Sequence, residues 1–194
     1  MAVTQLASSS DVVAAMGRAL TSSESARVGA ILDKASELFR RRSGQTFTTG
    51  TSTVRLKVNG GRVYLTQVPV TAVTTVLDDD AVAVTYTRAG QWLTIDEDST
   101  SCNSSSFVTV TYAHGGTVPD LVRLAIADLA RRVLLIPEAA QAGSTQHSET
   151  DGPFTTSDTY GRDAIGGTVA LSDEDKELAD SYRKRPPTVH VMVP

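Results

Sequence analysis

The sequence holds a single cysteine, Cys102, so no internal disulfide can form and a zinc cluster would lack thiolates. Synthesis in a reducing cytoplasm is expected. No stretch of about eighteen apolar residues occurs, and the opening MAVTQLASSS has no basic region followed by an apolar run. Neither a membrane span nor export by a standard signal is expected. Excess charge is small, with a net charge of -4 and a pI near 5.3. A sequence-independent hold on nucleic acid needs clustered Lys and Arg to displace counterions, so none is expected.

Catalytic signatures are missing too. No GxSxG elbow is present, and the serines lie in helix caps and low-complexity loops. Neither GxGxxG nor a phosphate loop ending in GK[ST] occurs, so Gly60-Gly61, Gly115-Gly116 and Gly166-Gly167 read as turn glycines. His114, His147 and His190 are far apart and lack the spacing of a preorganised metal site. Each reads as a surface or loop imidazole. Asp96-Glu97-Asp98 lacks the Gly and Glu positions of an EF-hand. The expectation is a non-enzymatic chain with no catalytic residue, metal or cofactor.

What the chain does have is periodicity. Ser10 and Asp11 followed by Val12, Val13, Met16 and Leu20 predict a short capped helix ending near Leu20. Thr21 with Glu24 forms a capping box, and Val28, Ile31, Leu32, Ala35, Leu38 and Phe39 mark one face of a long helix to Ser43-Gly44. After Gly44 the period changes to two. Val54, Leu56 and Val58, a turn at Asn59-Gly60-Gly61, and Val63 and Leu65 predict a hairpin. Further strands are expected at Val73 to Leu77, Val82 to Tyr86, Gln91 to Ile95 and Phe107 to Tyr112, all in one small antiparallel sheet. A helix then starts near Thr117 and Pro119, carries the stripe Val122, Ile126, Leu129, Val133 and Ile136, and stops at Pro137.

About thirty polar residues follow, GSTQHSETDGPFTTSDTYGRDAIGGTVAL, too poor in apolar side chains to offset their own ordering entropy. This arm is either a linker or a segment that orders against another chain through Phe154 and Tyr160. Ser172 caps a short helix to about Tyr182, Arg183-Lys184-Arg185 suits its C-terminal end, and Pro186-Pro187 forbids continuation. Thr188 to Val193 alternates like a strand with nothing local to pair with. The predicted class is α+β: a core of three to four helices (1–44 and 117–137), an inserted antiparallel β subdomain (45–116), an extended arm (138–171), and a short helix with a C-terminal tail (172–194).

LTSSESARVGAILDKASELFRRRSGQTF (Leu20 to Phe47), VYLTQVPVTAVTTV (Val63 to Val76) and VTVTYAHGGTVPDLVRLAIADLARR (Val108 to Arg132) together resemble, in order and spacing, siphophage head-to-tail adaptor proteins. The likeness is to the head-completion or connector family, in the version with a β insertion found in phages of actinobacteria, and it covers roughly a third of the chain. It implies a virion protein that forms a ring of about twelve copies beneath the portal. Such a ring extends the DNA channel, passes genomic DNA without sequence-specific binding, and docks stopper or tail-completion proteins. Under this reading Glu37, Arg40, Arg41, Arg131 and Arg132 on outer helix faces meet adjacent subunits. The tail adds through Val189, Val191 and Val193 as an edge strand to the portal or a neighbouring subunit, supported by Arg183, Lys184 and Arg185. The Asp78 to Asp80 tip is a candidate face toward the next tail component or the ring exterior. The competing expectation is a stand-alone binding module, holding a ligand on the β insertion through Trp92 and Tyr86. A third, a hydrolase built on one of the histidines, has no support in their spacing.

Overall fold

The computed structural model describes residues 4–96, 107–137, 140, 142–151, 154–159 and 167–183. The chain is α+β, and it divides into two compact units: Met1–Arg42 with Pro119–Ser181, and Ser43–Val118 with Tyr182–Pro194.

In the first unit, helix α1 (Ser9–Met16) is capped by Ser8 rather than Ser10. The reason lies three residues on: Ser8 has Asp11 there, whose carboxylate accepts the Ser8 N–H at 2.8 Å, whereas Ser10 has Val13. The helix stops at Gly17, left-handed at φ 68°, well before Leu20. Helix α2 (Ser22–Ser43) opens on the expected box: Thr21 Oγ1 accepts the Glu24 N–H at 3.3 Å and the Glu24 carboxylate accepts the Thr21 N–H at 2.7 Å. Arg18 forks the same carboxylate at 2.8 and 2.7 Å. Arg18 first, and then the Thr21 N–H, hold the Glu24 carboxyl down at about 2. Val28, Ile31, Leu32, Ala35 and Phe39 form the buried stripe of α2, with Leu38 half-buried. The segment before α1 lies along α2, where Ser36 Oγ accepts the Leu6 N–H at 3.0 Å.

Helix α3 (Asp120–Leu134) buries Val122, Ile126, Leu129 and Val133 as the sequence spacing requires. Ile136, expected to end that stripe, falls past the helix and is half-buried. Arg123 bridges Asp11 of α1 and Asp120 of α3, fixing the two helices together. Helix α4 (Asp173–Tyr182) is capped by Ser172, which exchanges hydrogen bonds with Asp175 at 3.0 and 3.2 Å. Asp175 also accepts from Arg132 of α3 at 2.6 Å, and Asp180 pairs with Arg42 of α2.

The polar arm contains structure that its composition did not announce. Gln146–Asp151 and Phe154–Thr159 form an antiparallel hairpin in register from Gln146 opposite Thr159 to Asp151 opposite Phe154. Apart from Phe154 these strands are polar at every position, so no apolar alternation betrays them. The Thr content, which favours an extended backbone, is the only local cue.

The second unit holds six strands: β1 (Gly50–Lys57), β2 (Arg62–Tyr64), β3 (Val70–Leu77), β4 (Tyr86–Ala89), β5 (Trp92–Ile95) and β6 (Phe107–His114). In chain order the arm hairpin then supplies β7 (Gln146–Asp151) and β8 (Phe154–Thr159). Strands β1–β6 make two three-stranded sheets, ordered β1-β6-β3 and β2-β5-β4, instead of one. The expected turn at Asn59 exists, with Asn59 and Arg62 exchanging backbone hydrogen bonds at 2.9 and 3.1 Å, but the strands on either side part. Strand β1 pairs along its whole length with β6, and β2 pairs with β5. A local turn yields one bridge, whereas β6 buries Val108, Val110 and Tyr112 completely and takes a long strand on each side. Val82 to Tyr86 is likewise no strand beyond a bridge at Ala83; β4 starts at Tyr86. Val63, Leu93 and Ile95 of the smaller sheet, with Leu65 just past β2, share a core with Val76, Val108, Val110 and Tyr112 of the larger. Arg88 of β4 also donates to the Val70 and Thr71 carbonyls of β3.

Candidate functional site

Because α4 is tied to α3 through Arg132 and Asp175, the segment leading into α4 lies beside the C-terminal half of α3. Between them is a groove of about 560 Å³. Its apolar lining comes from Leu129, Val133, Ile136, Ala170 and Leu171, and Arg132, Asp173 and Lys176 supply its charged groups. A volume of that order suits a small ligand or a few side chains of another chain. Leu129 and Val133 were legible as core, but their share in a groove was not, since Ala170 and Leu171 sit in the arm with no periodic pattern.

The residues expected to face neighbouring subunits divide in two. Glu37 and Arg41 are exposed on α2. Arg40 is half-buried, donates to the Thr4 carbonyl at 2.5 Å, and has its pKa lowered by desolvation. Arg131 bonds Asp128 at 2.8 Å, and Arg132 is shared between Asp128 and Asp175. Placing Asp128 three and four residues ahead of them on one helix draws both arginines onto their own unit. Of the arm and tail residues, Phe154 opens β8 opposite Asp151 and Arg183 is exposed just beyond α4. Tyr160, Lys184, Arg185, Val189, Val191 and Val193 lie outside the described residues.

In the β unit, His114 corrects the sequence reading. It is a core residue, 2% exposed, at the end of β6. Ser52 Oγ lies 2.8 Å from its Nε2 and Thr46 Oγ1 3.3 Å from its Nδ1, and Tyr112 packs on the ring at 5.5 Å. The spacing from Ser52 to His114 concealed this contact because it forms across the β1–β6 pairing. The geometry is that of a nucleophile and base, yet the far nitrogen faces a hydroxyl where catalysis would want a carboxylate, and burial lowers the imidazole pKa. That favours the neutral ring as a hydrogen-bonding core group. The unfolded imidazole titrates near 6.5, above the folded one. Below that pH the unfolded chain binds the extra proton, so stability is full above about 6.5 and falls as the pH drops toward the folded value. His114→Gln should flatten this slope in melting curves taken from pH 7.5 to 5; an unchanged slope would remove His114 as its source.

Trp92 packs edge-on against Tyr64 at 5.0 Å, its partner across β2 and β5, and the Tyr86 hydroxyl donates to the Val73 carbonyl at 3.4 Å. Both rings are engaged within the sheets. At the acidic tip, Asp78 accepts the Asp80 and Val82 N–H groups, and Asp79 is gripped by both arms of Arg55 at 3.0 Å. Among the described residues no three His, Cys, Asp or Glu side chains are grouped to hold a metal ion, and no helix is long and apolar enough to cross a membrane. No protein-family model and no curated protein matches the chain.

Proposed function

We propose that this chain is a non-enzymatic head-to-tail adaptor of a phage virion: it forms a ring that binds the portal, continues the DNA channel and docks the stopper or tail-completion proteins. The observation that carries the reading is the β7–β8 hairpin. A two-stranded sheet is marginal by itself in water, and this one has a single apolar residue in its strands. Gln146, Ser148, Ser157 and Thr159 are exposed, and no third strand joins it among the described residues. Such a hairpin gains its purpose when another chain covers it. The order of the three adaptor-like stretches points to the same assembly. A net charge of -4 also suits a conduit through which DNA must slide without sticking.

The tail is the part assigned to the portal, its alternating Val189, Val191 and Val193 adding as an edge strand. Ending the chain before Pro186 is expected to leave the melting temperature unchanged and to abolish co-sedimentation with portal rings. Undiminished binding by the shortened chain would refute the role of the tail.

A further inference from the structure

The two edges of the larger sheet are unlike. The β3 edge is closed: its Val76 carbonyl accepts the Val84 N–H at 2.9 Å, its Val73 carbonyl the Tyr86 hydroxyl, and its Val70 and Thr71 carbonyls the Arg88 guanidinium. The β1 edge is open. Among the described residues β1 pairs with β6 alone along all eight positions, and no other hydrogen bond reaches its backbone. An open edge of that length is a template for another strand. On one face of it Ser52, Val54 and Leu56 are half-buried, Val54 and Leu56 against the core, and on the other Thr51, Thr53, Arg55 and Lys57 are exposed. The β7–β8 hairpin is the converse case, two polar strands with no third beside them among the described residues.

We infer that β8 of one copy adds antiparallel to β1 of a second copy, so that the hairpin extends the second copy's sheet in the order β7-β8-β1-β6-β3. The register follows from the one apolar residue of the hairpin strands. All of β8 fits within β1 in three antiparallel registers, which set Phe154 opposite Arg55, Leu56 or Lys57, and in three parallel ones, which set it opposite Gly50, Thr51 or Ser52. Only the register with Leu56 joins apolar to apolar. In it Thr156 stands opposite Val54 and Asp158 opposite Ser52, while Thr155, Ser157 and Thr159 stand opposite Arg55, Thr53 and Thr51, a polar row against a polar row. Charge agrees after internal pairs are discounted. Strands β7 and β8 carry Glu149, Asp151 and Asp158 and no Lys or Arg. Strand β1 carries no acid, its Arg55 is neutralised by Asp79, and its Lys57 has no ion-pair partner among the described residues. Donor and acceptor are different strands, so the contact is heterologous, and repetition of it generates a closed ring or an open filament. The inference rests on the adaptor reading, in which another chain covers the hairpin, and it is tested without portal so that the two can fail separately.

In a Cys102→Ser background, Ser157→Cys and Thr53→Cys are made in separate chains, mixed and gently oxidised. The register sets these positions directly opposite, with Cα atoms about 5 Å apart and within reach of a disulfide. The mixed dimer should form in preference to either homodimer, and a chain carrying both cysteines should give a ladder of multimers. Paired instead with Lys57→Cys, four positions and about 13 Å along β1, or with Thr87→Cys on β4, Ser157→Cys should give about tenfold less mixed product. Adding Phe154→Ser to the first pair should cut its product about tenfold, the burial of the ring against Leu56 being lost. Preferential Thr53→Cys homodimers would mean that β1 pairs with β1, and preferential Ser157→Cys homodimers that hairpin pairs with hairpin. Either result, an intramolecular disulfide in the doubly substituted chain, equal yields from the three pairs, or indifference to Phe154→Ser would overturn the proposal. Portal binding that persists in that event would leave the adaptor reading standing without this contact.

Discussion

Replacing Gly115 with alanine will lower the melting temperature of the β unit by on the order of 15 °C. Gly115 follows β6 at φ 82°, and its N–H is held by the Pro69 carbonyl at 2.9 Å. A Cβ at this position would lie 2.1 Å from the Thr48 carbonyl oxygen and 2.6 Å from its carbon. Those atoms are backbone, two residues ahead of β1, so relief requires moving the strand entry and not a rotamer. Left-handed strain of about 1–2 kcal/mol adds to an overlap cost of similar size, giving about 3 kcal/mol. The neighbouring Gly116 is the control. A methyl group there would have no atom within 4 Å, and its φ is not positive, so Gly116→Ala should cost less than about 1 kcal/mol. Equal melting temperatures for the two variants would show that the chain relaxes around Gly115 without cost.

Asp175→Ala is expected to release α4. Asp175 is 7% exposed, and its carboxylate serves two ends at once, accepting the Ser172 N–H at the helix start and the Arg132 guanidinium from α3. Losing the cap removes about 1 kcal/mol, and losing a charge-assisted bond to a partly exposed arginine removes about as much again. The sum of about 2 kcal/mol corresponds to a roughly thirtyfold loss of amide protection across Asp173–Tyr182, confined to that helix. Full protection in α4 after the substitution would mean that the Arg42–Asp180 pair and Ala179 hold it unaided.

Helices were legible because their signals are local. Thr21 with Glu24, and Ser172 with Asp175, put cap and acid three residues apart, and the stripes of α2 and α3 repeat every three or four positions. Sheet pairing was not, because it is decided at a distance. The Asn59 turn correctly marked a reversal, but nothing near it says that β1 will pair with β6, some fifty residues on. The same distance hid the Ser52–His114 contact. Strands β7 and β8 escaped because a polar hairpin has no buried face to impose alternation. The groove depended on a chain crossing: α3 was clear, yet Ala170 and Leu171 acquire a role only once Asp175 docks on Arg132.

The central claim is assembly on a portal, and the most direct measurement is the mass of a mixture of this chain with cognate portal rings, by light scattering, beside each component alone. The account predicts a complex holding about one chain per portal subunit. A mixture that scatters as the sum of its separate components, with the chain remaining a monomer, would contradict it.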